Sequence, residues 1–168
     1  MSGRALITGG AGFIGAHLSR RLLDDGWEVT LVDNLSRGVQ DTALASLRER
    51  PGFALHVADL RDPSTLGSIP TDHTHVLHFA ALLGVQNVID RPSAVLRENV
   101  ALLETMLDVA SAQSSLERFL FPSTSEVYAG TQQFHDLPFP TPEDTPLTVS
   151  ALDRPRTSYM LSKIYGEA

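Results

Sequence analysis

The segment TGGAGFIG, residues 8–15, constrains this chain more than any other. It follows a short apolar run, ALIT (5–8), and opens an amphipathic stretch that ends at Gly26. Gly10, Gly12 and Gly15 fit G-x-G-x-x-G, while Gly9, Gly12 and Gly15 fit G-x-x-G-x-x-G in the same loop. Glycines so spaced between a strand and a helix serve a tight turn, a close backbone approach and close helix packing, and each needs a missing side chain. The start of the helix then offers free backbone amides to an anion. A second apolar run, EVTLVD (28–33), ends in Asp33, where a carboxylate accepts hydrogen bonds from ribose hydroxyls. Loop and acid together predict a dinucleotide site. The charge of Asp33 would repel a ribose 2′-phosphate. Arg37 is close enough in sequence to bind one, but the carboxylate at the strand tip is better placed, so NAD is expected over NADP.

Beyond this unit, short apolar runs continue to alternate with amphipathic segments, the pattern of a parallel sheet with helical crossovers. FALHVAD (53–59), HVLHFA (75–80) and RFLFPS (118–123) read as three further strands. The clearest helices are residues 13–25 and 93–113. Right-handed crossovers give an α/β, Rossmann-type, doubly wound sheet of order 3-2-1-4-5. Five of the ten prolines fall in residues 138–155, a long loop leading into a final helix. His73 and His75, two histidines before a strand, read as surface or packing residues rather than metal ligands.

A chain of 168 residues with 42% apolar content suffices for one core, so a single domain is expected over residues 1–168. The net charge of −7 argues against a nucleic-acid backbone binder. With no cysteine there is no disulfide, thiolate metal site or cysteine nucleophile. No apolar run reaches the ~18 residues of a membrane span, and no signal-peptide cleavage site follows the N-terminus, so a soluble, cytoplasmic protein is expected. The basic residues are twelve arginines and one lysine, and that lysine, Lys163, follows Tyr159 by four positions. On a helix the two share a face about 6 Å apart along the axis. A lone ammonium among guanidiniums suggests a need for a compact point charge.

These motifs, in this order, resemble the extended short-chain dehydrogenase/reductases that act on nucleotide sugars. TGGAGFIG resembles the family's cofactor loop, with Gly9, Gly12, Phe13, Ile14 and Gly15 in contact with the cofactor. DNLSRG is similar to its ribose-binding turn, through Asp33 and Asn34, and ADLRD to its adenine contact, through Asp59 and Leu60. HFAA resembles the end of its fourth strand, with Ala80 and Ala81, and Asn99 in RENV matches the asparagine of its long interface helix. STSEVY and YMLSK resemble its pair of active-site motifs. The resemblance implies that Tyr159 is the base for a sugar hydroxyl at C4, that Lys163 supports it and holds the nicotinamide ribose, and that Thr124 hydrogen-bonds the reacting oxygen.

Such a base must be anionic near neutral pH. Bringing tyrosine from ~10 to about 7 takes roughly 4 kcal/mol of differential stabilisation, expected here from Lys163 and the positive nicotinamide. In subclass terms, Ser-Thr-Ser-Glu looks like the UDP-glucuronate decarboxylases, with Glu126 as an acid or base beside a ketone, or else as a structural carboxylate at a strand end. Epimerisation, dehydration and decarboxylation all stay open, beside a non-catalytic NAD-binding module or an inactive fragment of such an enzyme. Two departures from the family pattern bear on substrate identity: Gly130 follows Tyr128 only after Ala129, and Pro122 sits in the expected fifth strand. Family members continue with further strands and a smaller substrate domain, which the chain is expected to lack. A homodimer or other self-association is expected, with a nucleotide sugar as substrate and neither nucleic acid nor membrane as partner.

Overall fold

The computed structural model describes residues 3–36, 42–62, 64 and 67–168. Arg37 lies outside them. Five parallel strands run in the order β3-β2-β1-β4-β5, as the crossover rule predicts: β1 (Arg4–Thr8), β2 (Glu28–Asp33), β3 (Phe53–Val57), β4 (His75–His78) and β5 (Arg118–Leu120). The helices are α1 (Phe13–Asp24), α2 (Thr42–Arg48), α3 (Val85–Asp90), α4 (Pro92–Ser111), α5 (Ala129–Phe134) and α6 (Pro155–Glu167), with a 3₁₀ turn at Ser125–Tyr128.

Contacts divide the chain into two compact units, Met1–Ala81 with Leu102–Pro122, and Leu82–Ala101 with Ser123–Ala168. The first holds the sheet. Its central strand β1 is wholly buried from Ala5 to Thr8, which is why it reads as a continuous apolar run instead of an alternating one. Leu6, Val32 and Val76 face Met106, Val109 and Ala110 of α4 on one side. Ala5, Ile7 and Val29 face Ala16 and Leu23 of α1 and Leu47 of α2 on the other. Each large side chain so buried contributes about 1.5–3 kcal/mol, and together they fix the register of the strand ends that carry the nucleotide motifs.

Three strands are shorter than their apolar runs suggest. β3 stops at Val57, β4 at His78 and β5 at Leu120, because the residues beyond turn into loops instead of continuing the ladder. Pro122 therefore lies past β5 and interrupts no ladder bond, which removes the anomaly it posed in the sequence. His73 is buried, its backbone N–H and Nδ1 meeting Gln113 Oε1 at 2.9 and 3.0 Å and its Nε2 meeting Thr30 Oγ1 at 2.9 Å. His75 packs edge-on against Trp27. Both act as packing groups.

The second unit is helical. α3 and the 3₁₀ turn both pack on α6, and Val95, Val127, Thr157 and Met160 of this unit are buried. Asn99 of α4 is buried there and clasps the backbone of Leu82, accepting its N–H at 2.7 Å and donating to its carbonyl at 3.3 Å. Gly130 explains the other sequence anomaly. A Cβ at this position would lie 1.8 Å from the Thr148 carbonyl oxygen, so the proline-rich loop closes directly on its backbone. Thr131 fastens the same loop, donating to Pro146 O at 2.8 Å and accepting from Thr148 N–H at 3.0 Å.

No helix among the described residues is long and apolar enough to cross a membrane.

Candidate active site

In the sheet unit, the predicted nucleotide residues gather at the carboxyl ends of β1 to β4. Gly9 has φ +64°, and a Cβ there would lie 2.6 Å from the Ala80 nitrogen, so the turn after β1 requires glycine both for its backbone angle and for the approach of the chain after β4. At Gly15 the missing side chain lets α1 rest on Gly10, whose Cα would be 2.3 Å from a Cβ. Gly12 is different. A Cβ there would meet only Gly9 O, at 3.2 Å, so no packing demand inside the chain calls for glycine. What its absence keeps clear is the space over the first turn of α1. That turn has no side-chain cap and no acidic residue, and Phe13 and Ile14 stand 82% and 62% exposed beside it. These features fit a cofactor diphosphate at the helix start.

Asp33 braces this loop. Its Oδ2 accepts the Ala11 N–H at 3.0 Å and its Oδ1 accepts the Leu35 N–H at 2.8 Å, forming a turn in which Leu35 takes φ +55°. Asn34 Nδ2 reaches Asp59 Oδ2 at 3.4 Å. Asp59 also accepts from the backbone N–H of Arg61 at 3.0 Å and from its guanidinium at 2.9 and 2.6 Å, and these hydrogen bonds hold its carboxyl well below the usual carboxylate range despite partial burial. Leu60 turns its side chain into the core. Thr8, which the motif reading passed over, takes the Ala80 N–H at 3.3 Å and pairs with His78 Nδ1 at 2.8 Å, tying β1 to the chain leaving β4.

In the helical unit, Thr124, Glu126 and Tyr159 meet on one cleft of ≈ 260 Å³. Leu83, Gly84, Val85 and Val88 form its apolar wall, and Arg156 completes the polar one. Thr124 caps the 3₁₀ turn, its Oγ1 accepting the Glu126 N–H at 3.3 Å, which presents both side chains together. Tyr159 is raised above its ordinary value, first by burial and then by the Glu126 carboxylate, while a hydrogen bond with Thr124 pulls the other way. Lys163 is buried one turn further along α6, its ammonium 5.9 Å from the Tyr159 ring centroid, and burial pulls it down to about 8.

Lys163 lies over the ring, and without a cofactor the Tyr159 hydroxyl stands raised, not lowered. Desolvation and a carboxylate outweigh the one favourable hydrogen bond. Arg156 stands three residues before Tyr159, in the first turn of α6, with its Nη2 3.6 Å from Glu126 Oε1. A cation there opposes the helix dipole.

The sequence profile described as the NAD dependent epimerase/dehydratase family matches residues 5–168. The chain belongs to this family. It spans about half the length of the curated relatives it matches. A UDP-N-acetyl-alpha-D-glucosaminuronate decarboxylase of Bacillus cytotoxicus is 32% identical over 173 residues, covering 99% of this chain and 49% of the relative. Among solved structures, a UDP-galactose 4-epimerase superposes with a TM-score of 0.75 at 34% identity, over 98% of this chain and 49% of that one. A UDP-glucose 4-epimerase from Bifidobacterium longum, in complex with NAD+ and UDP, gives 0.76 at 26% identity, over 98% of this chain and 47% of that one.

For an epimerase/dehydratase chain, the residues that motif reading missed are instructive. Arg156 shares a helix face with Tyr159 by its i, i+3 spacing, a signal present in the sequence. The apolar wall gave none, because α3 is six residues long and GVQNVID carries too few turns for a periodicity to emerge.

Proposed function

We propose that this chain binds NAD through its sheet unit and carries the acid–base machinery for modifying a nucleotide-activated sugar at C4. The observation that carries the reading is the cleft on which Tyr159, Thr124 and Glu126 converge, with Lys163 buried one turn beyond. Bound NAD would supply a hydride acceptor for the sugar carbon and, on return, a hydride donor. As the phenolate, Tyr159 would take the proton of the C4 hydroxyl, and Thr124 would hydrogen-bond the same oxygen as charge develops on it. Since the protein alone keeps Tyr159 protonated, its activation requires positive charge brought beside the hydroxyl. Glu126, on the same cleft, would move a proton at the carbon next to the ketone. Asp33, Asn34 and Asp59 hold the adenosine, and the amides above Gly12 hold the diphosphate. The partial likeness to both a decarboxylase and 4-epimerases leaves the fate of the ketone to the substrate.

A non-catalytic NAD-binding module is the rival, and retention of the Tyr159–Lys163 pair disfavours it. Titration with NAD and NADP followed by incubation with a panel of nucleotide sugars separates the two. We expect NAD to bind about tenfold or more tighter than NADP, because Asp33 repels a 2′-phosphate. Conversion of at least one sugar, read by NMR, is expected once the segment that closes the sugar pocket in the family is present. Binding without conversion of any sugar would favour the module.

Cytoplasmic location and self-association belong to the same reading. Exposed Leu107, Phe139 and Leu152 supply apolar surface for a second copy, and sedimentation over a concentration series tests it.

A further inference from the structure

Arg156 has no part in the chemistry proposed above, yet it lines the same cleft as Tyr159. Its side chain is 66% exposed, and the Glu126 contact at 3.6 Å is too long for a good hydrogen bond. A guanidinium has five N–H donors in a planar fork suited to carboxylate oxygens. Most of that fork is left to whatever enters the cleft. With a net charge of −7, the protein places a cation on the cleft's polar wall, against the dipole of its own helix.

The ring geometry of a pyranose says which part of a substrate meets this cation. If Tyr159 acts at C4, the diphosphate on C1 is at the opposite side of the ring. The groups adjoining C4 are the C3 hydroxyl and the C5 substituent, which carries C6. Where C3 bears a free hydroxyl, only C6 can be an anion, as a carboxylate. Arg156 and Tyr159, three residues apart on one helix, present their side chains to neighbouring positions of one bound sugar.

We propose that Arg156 is a specificity-determining residue that binds a sugar carboxylate, and that the substrate of this cleft is a nucleotide-linked hexuronate. The inference rests on the C4 reading of Tyr159. Arg156 bridges two carboxylates, Glu126 and the sugar's, so the fork offsets the repulsion that Glu126 alone would exert. An acid at C6 has no hydroxyl there to lose as water, which removes 4,6-dehydration and leaves epimerisation at C4 or loss of CO₂ from C5.

Calorimetry on the NAD-loaded protein, with UDP-glucuronate, UDP-glucose and UDP as probes, tests this against the diphosphate as the alternative anion. The wild type should bind UDP-glucuronate about tenfold or more tighter than UDP-glucose, the scale of a charge-assisted hydrogen bond. Arg156→Gln should erase that difference while leaving UDP and NAD affinities in place, and Arg156→Lys should restore part of it. Equal affinities for the two sugars in the wild type would overturn the proposal while leaving the nucleotide-sugar reading intact. An Arg156→Gln loss shared equally by UDP would assign the guanidinium to the diphosphate instead. Failure of all three probes to bind would sink the nucleotide-sugar reading, and this inference with it.

Discussion

At the scale of the residue, Tyr159 and Lys163 are both displaced from their solution behaviour, chiefly by burial. Tyr159→Phe removes only the hydroxyl, so NAD affinity should hold while turnover of the nucleotide sugar drops by about 10² or more. Near-normal turnover would remove Tyr159 from the reaction. Lys163 permits a test without substrate. Its folded pKa of about 8 lies below the ordinary 10.5 of a lysine, so the unfolded chain binds more protons between those values. Its contribution is therefore unfavourable below pH 8, and stability from this group rises as pH climbs from about 8 towards 10.5. Lys163→Met lacks that penalty. Its melting temperature, relative to the wild type, should be highest at pH 7 and converge by pH 10; a gap independent of pH would mean that the ammonium is not strained by burial.

At the scale of the element, the glycine loop separates two demands that a motif treats as one. Gly15→Ala would drive a Cβ to 2.3 Å from the Gly10 Cα, so thermal stability should fall by about 1–3 kcal/mol, the usual cost of overpacking. Gly12→Ala meets only one carbonyl at 3.2 Å and should fold almost as well, yet weaken NAD about tenfold or more by filling the space over α1. Melting curves and NAD titration on the pair check this, and a Gly12→Ala protein with undiminished NAD affinity would remove the diphosphate from that turn. The strand–glycine–helix element was legible in the sequence because glycine spacing, apolar runs and Asp33 each report local geometry. The ends of β3, β4 and β5 were not, since apolar residues such as Ala58 and Leu60 continue into buried loops after the ladder stops. The cleft was half legible. Thr124, Glu126 and Tyr159 came from motifs and Arg156 could have been read from its i, i+3 spacing to Tyr159, whereas the α3 wall depended on tertiary packing that no local pattern encodes.

At the scale of the whole molecule, the two units rest on different kinds of order. The first has a five-stranded parallel sheet with both faces of β1 covered, and the second has short helices and a long proline-rich loop fixed at Gly130 and Thr131. Regions with fewer buried apolar contacts open locally at lower free energy. Hydrogen exchange should find the amides of β1 and β2 the slowest in the chain and those of residues 136–154 among the fastest. NAD at ~100 times its Kd should add about 2.7 kcal/mol of stability by mass action, read as a higher melting temperature. Uniform exchange across both units would contradict this division.

The solitary lysine has a practical consequence as well. An amine-selective acylating reagent has one side chain to find in this protein, and that amine, brought down to about 8, is deprotonated more often at neutral pH than a surface lysine. Modification of Lys163 is therefore a single-site mass tag, separable from the α-amino group by peptide mapping. The rate at which that tag appears would report how often the buried face of α6 opens to solvent, and protection of the amine by NAD would turn the same reaction into a count of occupied molecules.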